Sequence, residues 1–541
     1  MKKYLFLAVA ALGFAACAEK GLDNNDPANK GELEQSYVAI TLAADDMNTK
    51  AGTDPDGVYA EGSEEERAVE SAYVFFFKDD APFLVSFDGT NSTTTNAGPN
   101  NYLEVDLTAN GNKMNNVSDI HNAVLVLQNY KGEYPNQMVA VLNWTPTEAK
   151  YSLTELREIV DGLRTTDGFI MSNAVYSNSK NQTVDAVALT VDNIAKTDTE
   201  ALAHPVIIHV ERVAAKVTFK VTPNTANGDL NYSDAKRFDI GEDVDGKIYA
   251  EIKGFELYNA NDESYLIKKI NPTTWTDEYL GFGWNDVAWF RSYWAESYVP
   301  AAGYPNNNFR WNNPATNPAY SYEVPVYCGE NTTVNNPKLI VKAQLQRAGG
   351  APVEVTNWYG KEYVGENALK VVVANTLKNK YFSSTDNTNF IGLSDADLKC
   401  VLRGGDEKAY EVYFQLSNTA TATGKVWYEY KNGNYVKIAD AATLNASLDD
   451  IQPALVYRNG MTYYYMDIKH LGNKDKVGEF GIVRNHVYSV NITDINGFGT
   501  PVYEGTHDFV KPEKPEPVTS YVAAQINILS WRVVANDYEL N

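Results

Sequence analysis

Alternation of apolar and polar positions marks most of this chain as strand. At residues 36–42, Val38, Ile40 and Leu42 fall on one face at a period of two. Near the other end, Val522, Ala524, Ile526 and Ile528 repeat the pattern within 521–531. Between them the same signal predicts strands at 72–77, 123–127, 138–142, 248–257, 338–345, 369–374, 410–416, 426–438, 461–468 and 482–495, with Asn432-Gly433 as a hairpin turn. The run at 205–219 exceeds the usual strand length and is expected to bridge two sandwiches. One helix is predicted, opened by a Ser152/Glu155 capping box and carried by Leu153, Leu156, Ile159, Val160 and Leu163, with Gly162 near its end. Many strands, few helices and polar connections predict an all-β chain of β-sandwiches.

The two terminal strands differ in setting from the rest. A stretch at 504–519 holds Pro512, Pro515 and Pro517 among Lys and Glu, a composition that stays extended and forms no hairpin. A tethered, half-apolar strand at a terminus is the sequence form of strand donation to another molecule's sheet edge. The first strand lies just before a polar loop at 45–62 with Lys50-Ala51-Gly52 and Asp54-Pro55-Asp56-Gly57, where turns and proteolysis concentrate, so it is removable. Ahead of both, Lys2 and Lys3 precede an apolar run at 4–16 that stops at Cys17, the layout of a bacterial signal peptide. Its thiol is placed to accept a diacylglycerol before cleavage; the other reading is an ordinary secretory signal with a chance cysteine. Residues 18–34 read as a polar tether, and no later stretch is apolar enough to cross a bilayer, which predicts a soluble body outside the inner membrane.

Length and charge narrow the function. A chain of 541 residues allows two to four domains, and a net charge of −24 without a basic face excludes phosphate-backbone binding, so no nucleic acid is expected. HExxH, GxSxG, P-loop and CxxC patterns are all missing; no catalytic residue, cofactor or metal is expected, and the chain reads as a non-enzyme. His209 and His486 read as structural, and Gly281-Phe282-Gly283 as a turn. Asp239, Glu242, Asp243 and Asp245 before Gly246 read as a solvated acidic turn more readily than a calcium loop. Cys328 and Cys400 leave a disulfide and two buried thiols equally open. Trp275, Trp284, Trp289, Trp294 and Trp311 cluster with other aromatics at 275–311; they suit a small core or a subunit contact, and a sugar platform is the alternative. The rival functions are therefore a glycan-binding surface lipoprotein using 275–311 and an extracellular hydrolase with a carboxylate pair that no spacing selects.

Four stretches together resemble the shaft subunits of Bacteroidales lipoprotein-precursor fimbriae (type V pili), most closely the minor-fimbrium major-subunit type. They are Leu12-Gly13-Phe14-Ala15-Ala16-Cys17; Val210-Glu211-Arg212-Val213-Ala214-Ala215-Lys216-Val217; Val483-Arg484-Asn485-His486-Val487-Tyr488 leading to Ile495-Asn496-Gly497-Phe498-Gly499-Thr500-Pro501; and the terminal 526–540 with Trp531 and Tyr538. The resemblance implies two transthyretin-like β-sandwich domains in tandem. Its division is a signal peptide with lipobox at 1–17, a propeptide at 18–50, domains at 51–214 and 215–500, and a tether with donor strand at 501–541. It implies lipidation at Cys17, outer-membrane anchoring of the precursor, and cleavage at Lys50-Ala51 by a processing protease, with Arg67 the next basic candidate. The slot left by Val38, Ile40 and Leu42 would take Val522, Ala524, Ile526, Ile528 and Trp531 of another copy. The implied product is a head-to-tail homopolymer at the cell surface, with accessory anchor and tip subunits, that supports adhesion.

Overall fold

Pairing follows the alternation in the computed structural model. It describes residues 34–43, 62–85, 100–105, 121–129, 134–166, 168–177, 182–195, 198–221, 237–258, 260–270, 295–299, 325–331, 337–402, 411–421, 424–470, 479–501, 521–529 and 535–536. Cys17, Lys50, Ala51, Trp531, the Pro-rich tether and Trp275, Trp284, Trp289, Trp294 and Trp311 lie outside the described residues.

The first sheet is built from β1 (Glu34–Ala43), β2 (Ala72–Lys78), β3 (His121–Asn129), β4 (Gln137–Leu142), β5 (Met171–Asn173), β6 (Ile194–Ala195) and β7 (Val206–Arg212). The order runs β6, β1, β7, β5, β4, β2, with β3 along the other side of β1. Strand β2 is buried on both faces because its sequence is apolar at every position but the last. Val74 and Phe76 join Met138, Ala140, Ile208 and Val210 in one core, while Tyr73, Phe75 and Phe77 pack with Val139, Val141 and Trp144 in another. Three short helices accompany this sheet: α1 (Glu64–Arg67), α2 (Leu153–Glu158) and α3 (Asp198–Ala203). The capping box of α2 is present, but the helix stops at Glu158 instead of reaching Leu163, because Val160–Gly162 pairs with Glu263–Tyr265 as a strand. The expected single strand across 205–219 is also two: buried Val213 and Ala214 break it after β7, and β8 (Ala215–Val221) enters a different sheet.

Downstream come β9 (Arg237–Asp243), β10 (Gly246–Tyr258), β11 (Val326–Cys328) and β12 (Lys338–Gln346). The chain then leaves this layer for a module with its own core, made of β13 (Val355–Trp358), β14 (Lys361–Val364), α4 (Glu366–Leu377), β15 (Tyr381–Ser384), β16 (Ile391–Gly392), β17 (Leu398–Leu402), β18 (Glu411–Leu416), β19 (Val426–Lys431), β20 (Asn434–Lys437), α5 (Ala441–Asp449) and β21 (Ala454–Tyr457). The strand predicted at 369–374 is thus helix. Leu369, Val373, Ala374 and Leu377 bury one helical stripe, and that packing overrides the β-propensity of three consecutive valines. The Asn432-Gly433 turn is as predicted, with φ of 50° and 78° at its two residues.

The chain returns through β22 (Met461–Asp467), β23 (Val487–Asn496), β24 (Thr500–Pro501) and β25 (Tyr521–Leu529). One five-stranded sheet has the order β11, β8, β23, β25 and then the two-residue Ala535–Asn536; the other has the order β9, β10, β12, β22, β24. Val217, Phe219, Val490 and Ile492 of the first share a core with Ile252, Phe255, Leu339 and Val341 of the second, and the Phe219 and Phe255 rings stack at 4.5 Å. The fold is all-β. Cys328 and Cys400 are both free thiols, the first buried, which answers the open question of a disulfide between them.

Candidate assembly strands and the charged junction

Strand β1 is hydrogen-bonded on both edges. Along one, nine residues from Glu34 to Leu42 pair antiparallel with β3. Along the other, Tyr37 and Val38 pair with β6, and Ile40 to Ala43 run parallel to β7, in register with Val206 to His209. All three positions singled out by alternation, Val38, Ile40 and Leu42, therefore sit in a lane with strand on either side. The lane borders a core: Leu125, opposite Val38, is buried, as are Val206 and Ile208.

Strand β25 has a different place. It pairs antiparallel with β23 over nine register positions, Val487 opposite Leu529 through Asn496 opposite Tyr521, with a bulge between Ile492 and Asp494. Val522, Ala524, Ile526 and Ile528 thus lie on the chain's own sheet, at an edge bordered beyond by Ala535–Asn536 alone among the described residues. Its pairing partner β23 lies before the tether in the chain.

Two of the sequence stretches singled out above, 210–217 and 483–488, meet at the junction between the first sheet and the next. Arg212 closes β7 and its Nε donates to the Glu66 carbonyl at 2.6 Å, while Nη1 donates to Asn485 Oδ1 at 3.3 Å. Burial pushes the Arg212 guanidinium down to about 10. Glu66, in α1 and 1% exposed, receives Lys216 Nζ at 2.7 Å and the Tyr327 hydroxyl at 2.5 Å. Burial raises its pKa, but the hydrogen bonds from Lys216 and Tyr327 outweigh burial and hold the carboxyl below its usual range. Arg484 is fully buried, and its Nη2 donates to Glu330 Oε2 at 2.9 Å, Ser264 Oγ at 3.0 Å and the Tyr265 carbonyl at 2.7 Å. The Leu266 carbonyl accepts both from Arg484 Nη1 and from Ser172 Oγ of β5. Glu211 faces the Lys268 ammonium at 3.8 Å, and burial pushes its carboxyl up to about 7. Most of the cluster is buried and its charges are of both signs, though among the described residues the Glu211 oxygens and Arg484 Nε accept or donate no hydrogen bond; it fits a structural joint between the two sheets.

The remaining candidates are structural. His486 Nδ1 lies 2.8 Å from the Arg484 carbonyl, and burial lowers the pKa of His209. Asp243 and Asp245 share Arg347, and Asp239 pairs with Lys247, so side chains offset part of the charge of this acidic turn. No group of three or more His, Cys, Asp or Glu suited to a metal occurs among the described residues. Gly499 of 495–501 has a close-packing reason: its φ is 71°, and a Cβ there would lie 2.4 Å from Thr462 Oγ1.

Residues 455–537 match the family model described as major fimbrial subunit protein type IV, fimbrillin, C-terminal. That segment covers β22 to β25 and includes the second junction stretch. None of the curated proteins compared with the chain matches it. Among solved structures, a putative cell adhesion protein from Parabacteroides distasonis is 13% identical, with 91% of this chain and 96% of that one covered, at a TM-score of 0.37. A fimbrilin from Porphyromonas gingivalis is 12% identical, covering 93% and 98%, at 0.35. The tip fimbrial protein Mfa3 from Porphyromonas gingivalis, with a C-terminal truncation, is 12% identical, covering 91% and 99%, at 0.26. These overall likenesses are loose, and the assignment rests on the carboxy-terminal match. Its segment 455–537 is similar to the C-terminal region of fimbrillins, the major subunits of fimbriae.

Proposed function

We propose that this chain is the repeating shaft subunit of a cell-surface fimbria and polymerises by donor-strand exchange. It is exported as a lipoprotein lipidated at Cys17 and held at the outer membrane, and a protease cuts between Lys50 and Ala51. β1, with Val38, Ile40 and Leu42, then leaves, and the lane is filled by the terminal strand of another copy through Val522, Ala524, Ile526, Ile528 and Trp531. Anchor and tip subunits begin and end the filament, which serves adhesion.

The observation that carries this reading is the pairing of β1 on both edges. Its departure leaves main-chain donors and acceptors of β3, β6 and β7 unpaired beside an apolar core, and each such group left buried costs about 1 to 3 kcal/mol. A nine-residue β25 is close to the ten-residue length of β1. At home β25 is held by β23 and a two-residue neighbour; in the lane it would be held along both sides, so exchange raises the number of main-chain hydrogen bonds. Each is worth about 1 kcal/mol net. Head-to-tail docking of this kind does not close on itself and so propagates. The junction also favours Lys50-Ala51 over Arg67: cutting after Arg67 would separate Glu66 from the body, leaving Arg212 a buried charge short of a partner and Lys216 without its carboxylate.

Limited trypsin treatment of the purified precursor, followed by unboiled denaturing electrophoresis, tests the reading. A ladder whose subunits begin at Ala51 is expected, and Ile526→Asp or Ile528→Asp should leave folded, trimmed monomers. Trimmed wild-type protein that stays monomeric, or a ladder that both variants retain, would sink it.

A further inference from the structure

The module between β12 and β22 carries a cavity of about 440 Å³, within the ~300–1,000 Å³ range of small-molecule sites. It opens where the chain leaves α4 and turns into β15. Asn375, Lys378 and Asn379 form one wall, and Phe382, Ser394 and Asp395 the other. The walls are locked together at Gly392, where a Cβ would lie 2.5 Å from the Lys378 carbonyl. Phe382 is the first ring of an aromatic ladder across β15, β19 and β20. Its centroid is 5.0 Å from Tyr435 at 85°, and Tyr435 stacks on Phe390 at 3.8 Å and 3°. Tyr430 and Tyr435 are 44% and 40% exposed, so the ladder leads from the cavity out to solvent.

The chemistry of the wall is mixed in a particular way. Lys378 only donates, Asp395 only accepts, and an amide such as Asn379 does both. No hydrogen bond or ion pair engages the Asp395 carboxylate or the Asn379 amide among the described residues. Lys378, Asn379 and Asp395 are exposed, so water meets them in the open cavity and a ligand hydroxyl can take that water's place, while an anion would meet the Asp395 carboxylate. A sugar ring presents an apolar C–H face for an aromatic ring, and neighbouring hydroxyls that each donate and accept.

We infer that this cavity is a carbohydrate site, taking one pyranose face-on against Phe382 with its hydroxyls on Asn379 and Asp395, and passing further sugars of a chain along Tyr435 and Tyr430. The site is independent of polymerisation: no strand of the module pairs with β1, β3, β7, β23 or β25.

Saturation-transfer difference NMR on the full-length protein tests it, with millimolar methyl glycosides of glucose, galactose, mannose, fucose and N-acetylglucosamine, and lactose, as probes. Transfer to the ring protons of at least one probe is expected. Phe382→Ala should abolish it, and Asn379→Ala and Asp395→Asn should each weaken binding at least about fivefold, which corresponds to roughly 1 kcal/mol. Thermal melting checks that Phe382→Ala folds; the two polar variants are surface changes and decide the matter if it does not. Absence of transfer from every probe, or transfer unaffected by Asn379→Ala and Asp395→Asn, would overturn the assignment.

Discussion

Glu211 is the residue whose chemistry the fold alters most visibly. Neither of its oxygens has a hydrogen-bond partner, Lys268 stands 3.8 Å away, and Arg484 and Glu330 contribute opposing charges nearby. With burial holding the folded-state pKa at about 7, above the ordinary 4.5, the folded protein binds this proton more tightly than the unfolded chain does. The stability it contributes is complete below about pH 4.5 and is lost as pH rises through about 7. Glu211→Gln removes that loss. Urea unfolding at pH 5 and pH 8 should show the stability difference between variant and wild type moving in the variant's favour by about 1 to 3 kcal/mol on going to the higher pH. An unchanged difference would refute the assignment. Glu66 responds in the opposite sense: its depressed pKa gives stability that is present above its unfolded pKa and lost in acid. The sequence marked both junction stretches as distinctive, yet nothing in the spacing of Glu211, Glu66, Lys268 and Glu330 told which would meet, because they come from strands and loops far apart along the chain.

At the level of elements, legibility tracked how much of the signal was local. The β1, β2, β4, β10, β12 and β22 patterns and the Asn432-Gly433 turn were readable, since a two-residue period or a left-handed turn is fixed by neighbouring residues. Helix α4 was not: its Val371-Val372-Val373 run has strand propensity, and only its burial of Leu369 and Leu377 against the module core makes it helical. Leu369→Ala should cost about 2 to 5 kcal/mol, concentrated in the module. Hydrogen exchange would show it as faster opening of β13 to β21 with β2 and β4 unaffected; uniform loss of protection would mean that the module does not unfold as a unit. The two terminal strands were legible as strands, and the place each takes in a sheet was not, because it is set by main-chain partners that carry no side-chain code.

On the scale of the whole molecule, the module is an insertion into a hairpin. β12 and β22 are register partners, Gln344 opposite Met461, although more than a hundred positions of chain separate them. Among the described residues the module joins the main core at its base, through Val353, Val355, Tyr457 and the half-buried Val364. Replacing residues 347–460 with a short Asn-Gly turn should therefore leave β12 and β22 paired and leave trypsin-triggered laddering intact, at some cost in melting temperature; a variant that folds yet no longer ladders would show that the module takes part in the joint.

Because the two ends of the insertion leave the sheet one strand spacing apart, ~4.8 Å, the same doorway accepts any domain whose own termini are equally close. Enzymes, antigens or fluorescent proteins of that build could be grafted there, one per chain, and the proposed polymer would then become a regularly spaced scaffold for cargo.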